Sequence, residues 1–207
     1  MSIWAIIPVK PLSRAKSRLD PVLSPREREA LAERMLVHVV RTVKAAPEIN
    51  GVLVVSRDTR ALALARDLGA QTIMESGAPE LNSALMRATQ VVMAWNGSAV
   101  LILPADLPLI QPDDVSAICA LGDDFNTVVI ATDQYQDGTN ALLVSPPGLI
   151  PYSYGIGSYN RHIEAARAAG AVVKKYESER LMLDIDLPAD LNYYHQLTRN
   201  ESETYYG

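Results

Sequence analysis

Between Pro8 and Leu19 the chain carries Lys10, Arg14, Lys16 and Arg18 and no acid; the first carboxylate is Asp20. The segment follows an apolar run at residues 4–9 that reads as a strand, and ligands of open α/β sheets lie beyond the carboxyl ends of strands. A cationic loop there suits a phosphate chain, whose charge it would offset; a merely solvated basic loop is the other reading. No glycine precedes Gly51, so this loop is neither a Walker A loop nor a G-x-G-x-x-G dinucleotide turn. Three carboxylates form a second group. Asp106 stands in Leu103-Pro104-Ala105-Asp106-Leu107-Pro108-Leu109, at the end of the most apolar run of the sequence. Asp184-Ile185-Asp186 places two carboxylates on one face of an extended segment, because side chains two apart point the same way. Three hard oxygen donors suit Mg²⁺ shared with substrate phosphates. Simpler roles stay open: a turn cap for Asp106, and a turn leading into the helix start at Pro188 for the pair. Asp190 reads as a first-turn residue favoured by the helix dipole.

A third group follows a turn at Asp137-Gly138. Thr139 and Ser158 offer hydroxyls, and Gly155 and Gly157 precede a helix starting at Ser158, whose N–H groups and positive end attract a phosphate or carboxylate. An ordinary turn and an ordinary N-cap would leave the same trace. His162, one turn into that helix, reads as a structural or supporting residue rather than a general base, and His38 and His195 as surface or packing residues. Glu80-Leu81-Asn82-Ser83 has groups suited to a base or ribose edge, although Asn82 and Ser83 make an equally good helix start.

These residues need a scaffold that brings strand ends together. Short apolar runs alternate with longer helix-period stretches, the pattern of a mostly parallel sheet with crossover helices. Strands are expected at 4–9, 52–56, 71–74, 99–103, 127–131, 141–145 and 172–176. Ser24-Pro25-Arg26-Glu27 spells a capping box with proline at the first helical position, opening a helix to about Ala46 with Leu31, Met35 and Val39 inward. Further helices are expected at 59–68, 83–95, from Pro112, at 158–169 and at 187–197, with a loop at Gly77 and Pro79. One three-layer α/β domain accounts for residues 1–198, and 199–207 form a polar tail expected to fray. Exposed strands near 134–141 could support a homodimer.

Composition bounds the function. The 207 residues are 48% hydrophobic and 21% charged, which argues for a globular core, and no apolar run is long enough to span a bilayer. A net charge of -5 disfavours general nucleic-acid or membrane binding, although the four cations before Asp20 reverse the sign locally. Cys119 reads as inert core. The start lacks a basic signal-peptide region, so a cytoplasmic location is expected.

Taken together, Ile7-Pro8-Val9-Lys10-Pro11, Ala15-Lys16-Ser17-Arg18-Leu19, Leu81-Asn82, Asp106-Leu107-Pro108-Leu109, Gly138-Thr139-Asn140-Ala141-Leu142, Gly155-Ile156-Gly157-Ser158 and Asp184-Ile185-Asp186 resemble the guanylyltransferases of coenzyme F-420 biosynthesis. The resemblance spans most of the chain. It implies a Rossmann-related, glycosyltransferase-A-like nucleotidyltransferase fold with a mixed, mostly parallel sheet. It implies transfer of GMP from GTP to phosphoenolpyruvate, giving enolpyruvyl-diphospho-5'-guanosine and pyrophosphate, or the same reaction on 2-phospho-L-lactate or 3-phosphoglycerate. It further implies that Asp106, Asp184 and Asp186 hold Mg²⁺, with Lys16 and Asp106 central to catalysis. Lys16 and Arg18 would hold the triphosphate, Pro8 and Asn82 the guanosine, and Thr139, Gly155 and Ser158 the phospho-acid. A molybdopterin guanylyltransferase is the nearest rival, weakened by the missing glycine-rich first loop. The same residues leave room for a sugar-transferring relative and for a non-catalytic nucleotide-binding module.

Overall fold

The computed structural model describes residues 1–76 and 80–205; the loop expected at Gly77 and Pro79 lies outside them. Seven strands, β1 (Ile3–Val9), β2 (Ile49–Ser56), β3 (Gln71–Met74), β4 (Ala99–Ile102), β5 (Thr127–Thr132), β6 (Thr139–Ser145) and β7 (Val172–Lys175), form one sheet in the order β3-β2-β1-β4-β6-β5-β7. Every neighbouring pair is parallel except the two that involve β6, which runs antiparallel to β4 and β5. The mixed, mostly parallel sheet expected from the sequence is therefore present.

Helices α1 (Pro25–Ala45), α2 (Thr59–Asp67), α3 (Leu81–Ala94), α4 (Pro112–Leu121), α5 (Ser158–Ala168), α6 (Glu179–Met182) and α7 (Pro188–Tyr205) complete the fold. The α1 capping box forms as its sequence predicts, with Ser24 and Glu27 bonding reciprocally and proline in the first turn. The strands β4, β5 and β6 are buried throughout, as a sheet covered on both faces requires. One core cluster joins α1 and α4 to one face through residues such as Leu36, Leu101 and Ile118. A second joins α3 and α5 to the other through Leu85, Ile102 and Ile163. Cys119 is buried in the first, and burial, with a smaller contribution from Glu48, pushes its thiol up to about 12.

Some boundaries differ from expectation for clear reasons. Glu80, not Asn82 or Ser83, caps α3, accepting from the N–H groups of both. Strand β6 begins at Thr139 rather than Ala141 because Thr139 pairs with Thr132 across a register shift. That pairing also removes the exposed strand expected near 134–141, since β6 lies inside the sheet and the edges are β3 and β7. The backbone of α7 continues as helix to Tyr205, past the expected end at Leu197. Among the described residues no helix is long and apolar enough to cross a membrane.

Candidate active site

The functional side chains gather at one edge of the sheet. The carboxyl ends of β1, β2, β3 and β4 point there, and because β6 is antiparallel to β4, with Ile102 opposite Leu142, its amino end reaches the same edge. The basic loop after β1 is folded rather than loosely solvated. It makes two short 3-10 turns, Leu12–Arg14 and Ser17–Leu19, and Leu12 and Leu19 anchor it in the core. Asp58, which caps α2, also accepts from the Leu12 N–H at 2.7 Å.

Between the turns, Lys16 takes a left-handed backbone conformation (φ 55°), uncommon for a residue with a β-carbon. Its Nζ donates to Asp106 Oδ2 at 2.6 Å and to Asp186 Oδ1 at 3.1 Å, and its side chain is only 6% exposed. Burial alone would lower the Lys16 pKa, but the charges of Asp106 and Asp186 outweigh it and hold the ammonium above its ordinary value. Arg18 is exposed and stands 3.6 Å from Asp186 Oδ2. Burial, reinforced by the charges of Asp106 and Asp186, pushes the Asp184 carboxyl up to about 6. The three carboxylates singled out in the sequence therefore share one electrostatic environment, with Lys16 as their resident cation.

Leu183 and Ile185 point into the core while Asp184 and Asp186 remain partly exposed, the alternation expected of an extended D-x-D. Ile185 packs with Leu19, Leu31, Met35 and Leu191 in a small separate cluster. Asp190 does more than favour the α7 dipole: it accepts from the N–H groups of Asp186 and Leu187 and from Gln134 Nε2. Upstream, the fully buried Asp114 of α4 binds Tyr176, Ser178 and both Nε and Nη2 of Arg180. It thereby fixes the path from β7 into the D-x-D.

A hard-oxygen donor set with no thiolate or imidazole suits Mg²⁺ or a similar cation. Among the described residues no three potential ligands are already gathered closely enough around a common point to bind a metal; the Lys16 ammonium lies between two of them. The donors fit in type and place, and Lys16 would have to yield before they could converge.

Beside this cluster opens a cavity of about 430 Å³, walled by Pro8, Val9, Leu12, Lys16, Met35, Leu81, Ala84 and Asp106 among others. Pro8 lines this cavity. Arg57 and Glu75 also line it, and Arg57 Nε lies 3.5 Å from Glu75 Oε2. Neither stands out in the sequence, yet they directly follow the last residues of β2 and β3, so the strand-end rule that singles out Asp106 could have found them. Asn82 does not line the cavity. Its Oδ1 accepts from the Tyr154 N–H at 2.7 Å and its Nδ2 donates to the Tyr154 carbonyl at 3.4 Å, so it ties α3 to the loop before α5.

Thr139, Gly155 and Ser158 come together in a second place, off the cavity wall. Thr139 Oγ1 is 3.1 Å from Ser158 Oγ, and the Ser158 N–H donates to the Gly155 carbonyl at 3.0 Å. Gly155 (φ 120°) and Gly157 (φ 71°) adopt backbone conformations that side chains disfavour, which explains the glycines here. His162 Nδ1 lies 3.0 Å from Thr139 Oγ1. The neighbouring Asn140 donates to the Leu181 carbonyl at 2.8 Å and reaches Asp184 Oδ1 at 3.5 Å, linking the start of β6 to the carboxylates.

The family model described as "Guanylyl transferase CofC like" matches residues 3–200. The chain belongs to this guanylyl transferase family. It is 42% identical to the phosphoenolpyruvate guanylyltransferase of Rubrobacter xylanophilus over 191 residues, 92% of each chain. It is 37% identical to the 2-phospho-L-lactate guanylyltransferase of Methanothermobacter thermautotrophicus over 92% of this chain and 83% of that one. A solved nucleotidyl transferase from the latter organism superposes with a TM-score of 0.67 at 15% identity, covering 96% of this chain and 99% of that one. The chain's mixed, mostly parallel sheet has the nucleotidyltransferase α/β fold of such solved structures, as the family resemblance implied.

Proposed function

We propose that this guanylyl transferase moves GMP from GTP to phosphoenolpyruvate, with Mg²⁺, releasing pyrophosphate and forming enolpyruvyl-diphospho-5'-guanosine for coenzyme F-420 biosynthesis. The observation that carries the reading is the Lys16 ammonium held between Asp106 and Asp186 at the mouth of a cavity large enough for much of a nucleotide. In the reaction a phosphate oxygen of the acceptor bonds to the α-phosphorus of GTP, and the bond from that phosphorus to the bridging oxygen breaks with its electron pair on pyrophosphate. The attacking oxygen is already ionised at neutral pH, so no side chain has to take its proton. The barrier is charge, and catalysis of such transfers is mostly positioning and electrostatic stabilisation.

Bound Mg²⁺ would neutralise phosphate charge as a Lewis acid, with Asp106, Asp184 and Asp186 as its protein ligands. Lys16 would exchange its two carboxylates for triphosphate oxygens, and Arg18, already exposed, would add a second cation. Pro8 would border the guanosine, and Asn82 would act on it through the Tyr154 backbone that it holds. Thr139, Gly155 and Ser158 would receive the phospho-acid. The higher identity to a relative named for phosphoenolpyruvate favours that acceptor, while the archaeal relative keeps 2-phospho-L-lactate as the second reading.

The test is incubation with GTP, Mg²⁺ and phosphoenolpyruvate, 2-phospho-L-lactate or 3-phosphoglycerate in competition, with products identified by mass. A predominant enolpyruvyl-diphospho-guanosine product supports the reading. A different predominant adduct reassigns the acceptor, and no adduct from any arm overturns the transfer.

A further inference from the structure

Directly behind the Thr139 and Ser158 hydroxyls lies His162, fully buried. Its two ring nitrogens have different partners. Nε2 is 2.9 Å from the Ser153 backbone N–H, which can only donate. A neutral imidazole therefore accepts at Nε2 and carries its hydrogen on Nδ1. Burial, with a smaller contribution from the Arg161 charge, lowers the His162 pKa to about 4, so the ring stays neutral under ordinary conditions. The Tyr154 ring meets it edge-on at 4.9 Å between centroids and helps fix its plane.

The Nδ1–H then occupies a lone pair of Thr139 Oγ1 at 3.0 Å. With the opposite tautomer, the Thr139 hydroxyl would turn its own hydrogen toward the ring. With this one, that hydrogen remains available to Ser158 Oγ or to an anion. We infer that His162 is a positioning residue for the acceptor: its Nδ1–H holds Thr139 so that, of the two hydroxyl hydrogens of Thr139 and Ser158, one closes the bond between them and the other, rather than a lone pair, faces the phosphate or carboxylate of the phospho-acid. This rests on the acceptor assignment made above.

Two substitutions separate the two bonds of the ring. His162→Gln extends an acceptor towards the Ser153 N–H but has no donor at the Nδ1 position. His162→Asn keeps a donor there and loses the acceptor for Ser153. Removing one hydrogen bond that aims a ligand donor corresponds to about ten-fold, so His162→Gln should raise the KM for the phospho-acid about ten-fold. His162→Asn should recover most of that, and in His162→Gln, which keeps the Ser153 contact beside Tyr154, the KM for GTP should move less than about two-fold. Equal acceptor KM in the two variants, or acceptor and GTP constants moving together with Tm, overturns the role. Absence of turnover in the unaltered protein overturns the reaction instead. In that case ¹⁵N NMR of the imidazole with and without phosphoenolpyruvate tests this inference: a hydrogen on Nε2, or an Nδ1 signal unmoved by saturating phosphoenolpyruvate, overturns it, and an Nδ1 hydrogen whose signal moves on adding phosphoenolpyruvate supports it.

Discussion

At the scale of single residues, the carboxylates and Lys16 form a charge assembly that is balanced only while a cation is present. Asp184 is raised to about 6, above the ordinary carboxylate value of about 4 in an unfolded chain. Between those two pH values the folded protein holds a proton that the unfolded chain has lost, so stability falls as pH rises through this window and the loss is complete above about pH 6. In metal-chelated protein, Asp184→Asn should therefore raise Tm at pH 7.5 and change it little at pH 4.5, as differential scanning calorimetry would read. The same variant, like Asp106→Asn, should lower Mg²⁺-dependent pyrophosphate release by two orders of magnitude or more, of the size found when a preorganised charge-stabilising group is removed (about 10²–10³). Near-normal release would remove these residues from the metal site. Lys16→Ala should lower kcat/KM for GTP; an unchanged value would take Lys16 out of the reaction. Residue types and spacing are enough to pick out Lys16, Asp106, Asp184 and Asp186. Arg57 and Glu75 are within reach of the same strand-end reasoning, since they directly follow β2 and β3, whereas the donor role of His162 stays hidden because it depends on which ring atom faces which partner, and spacing along the chain does not encode that.

At the scale of elements, the site is held by packing that the hydrophobic pattern partly announces. The four-residue spacing of Leu31 and Met35 marks the inward stripe of α1, and they do face inward, but together with Leu19 their partners are Ile185 and Leu191. The helix that the capping box starts therefore supports the D-x-D segment. Ser24→Ala should cost about 1 kcal/mol and lower Tm while leaving kcat nearly unchanged, because α1 continues well beyond its first turn. Asp114→Asn differs in kind: it leaves the Arg180 guanidinium and two hydroxyls without their carboxylate. Hydrogen bonds to charged groups are worth about 1.5–3 kcal/mol each before solvent screening of the half-exposed Arg180, so a loss of Tm accompanied by a fall in kcat is expected. A fall in Tm alone would show that the path from β7 to Asp184 does not depend on this anchor. Helix α6 is not foreseeable from the sequence because a four-residue helix has too little periodicity to register, and Glu80 does not stand out as the α3 cap because Asn82 and Ser83 are stronger cap formers.

At the scale of the whole molecule, the fold is legible because alternating runs and crossover helices leave few arrangements. The direction of β6 is carried only by the Asp137-Gly138 turn, a hairpin signal, since an apolar strand by itself reads the same in either sense. The global charge of -5 says little about the ligand, because the four cations of the first loop are concentrated at one sheet edge. Binding of the nucleotide should accordingly weaken with rising salt, by screening of this local charge. Salt-insensitive affinity for GTP would argue against a triphosphate seated on the loop.

The reversed strand has an evolutionary and engineering corollary. The loops proposed to face the nucleotide leave the ends of β1 to β4, whereas Thr139 lies just after the 133–138 hairpin that turns the chain back from β5 into β6. Exposed loop tips are where exchange of residues is best tolerated, and residues 134–137 of this hairpin are of that kind. On the proposed site assignments, one nucleotide-binding half could thus be combined with different acceptor-binding segments. Grafting residues 133–140 and 153–158 together from a relative with another acceptor should transfer acceptor preference while leaving nucleotide preference in place.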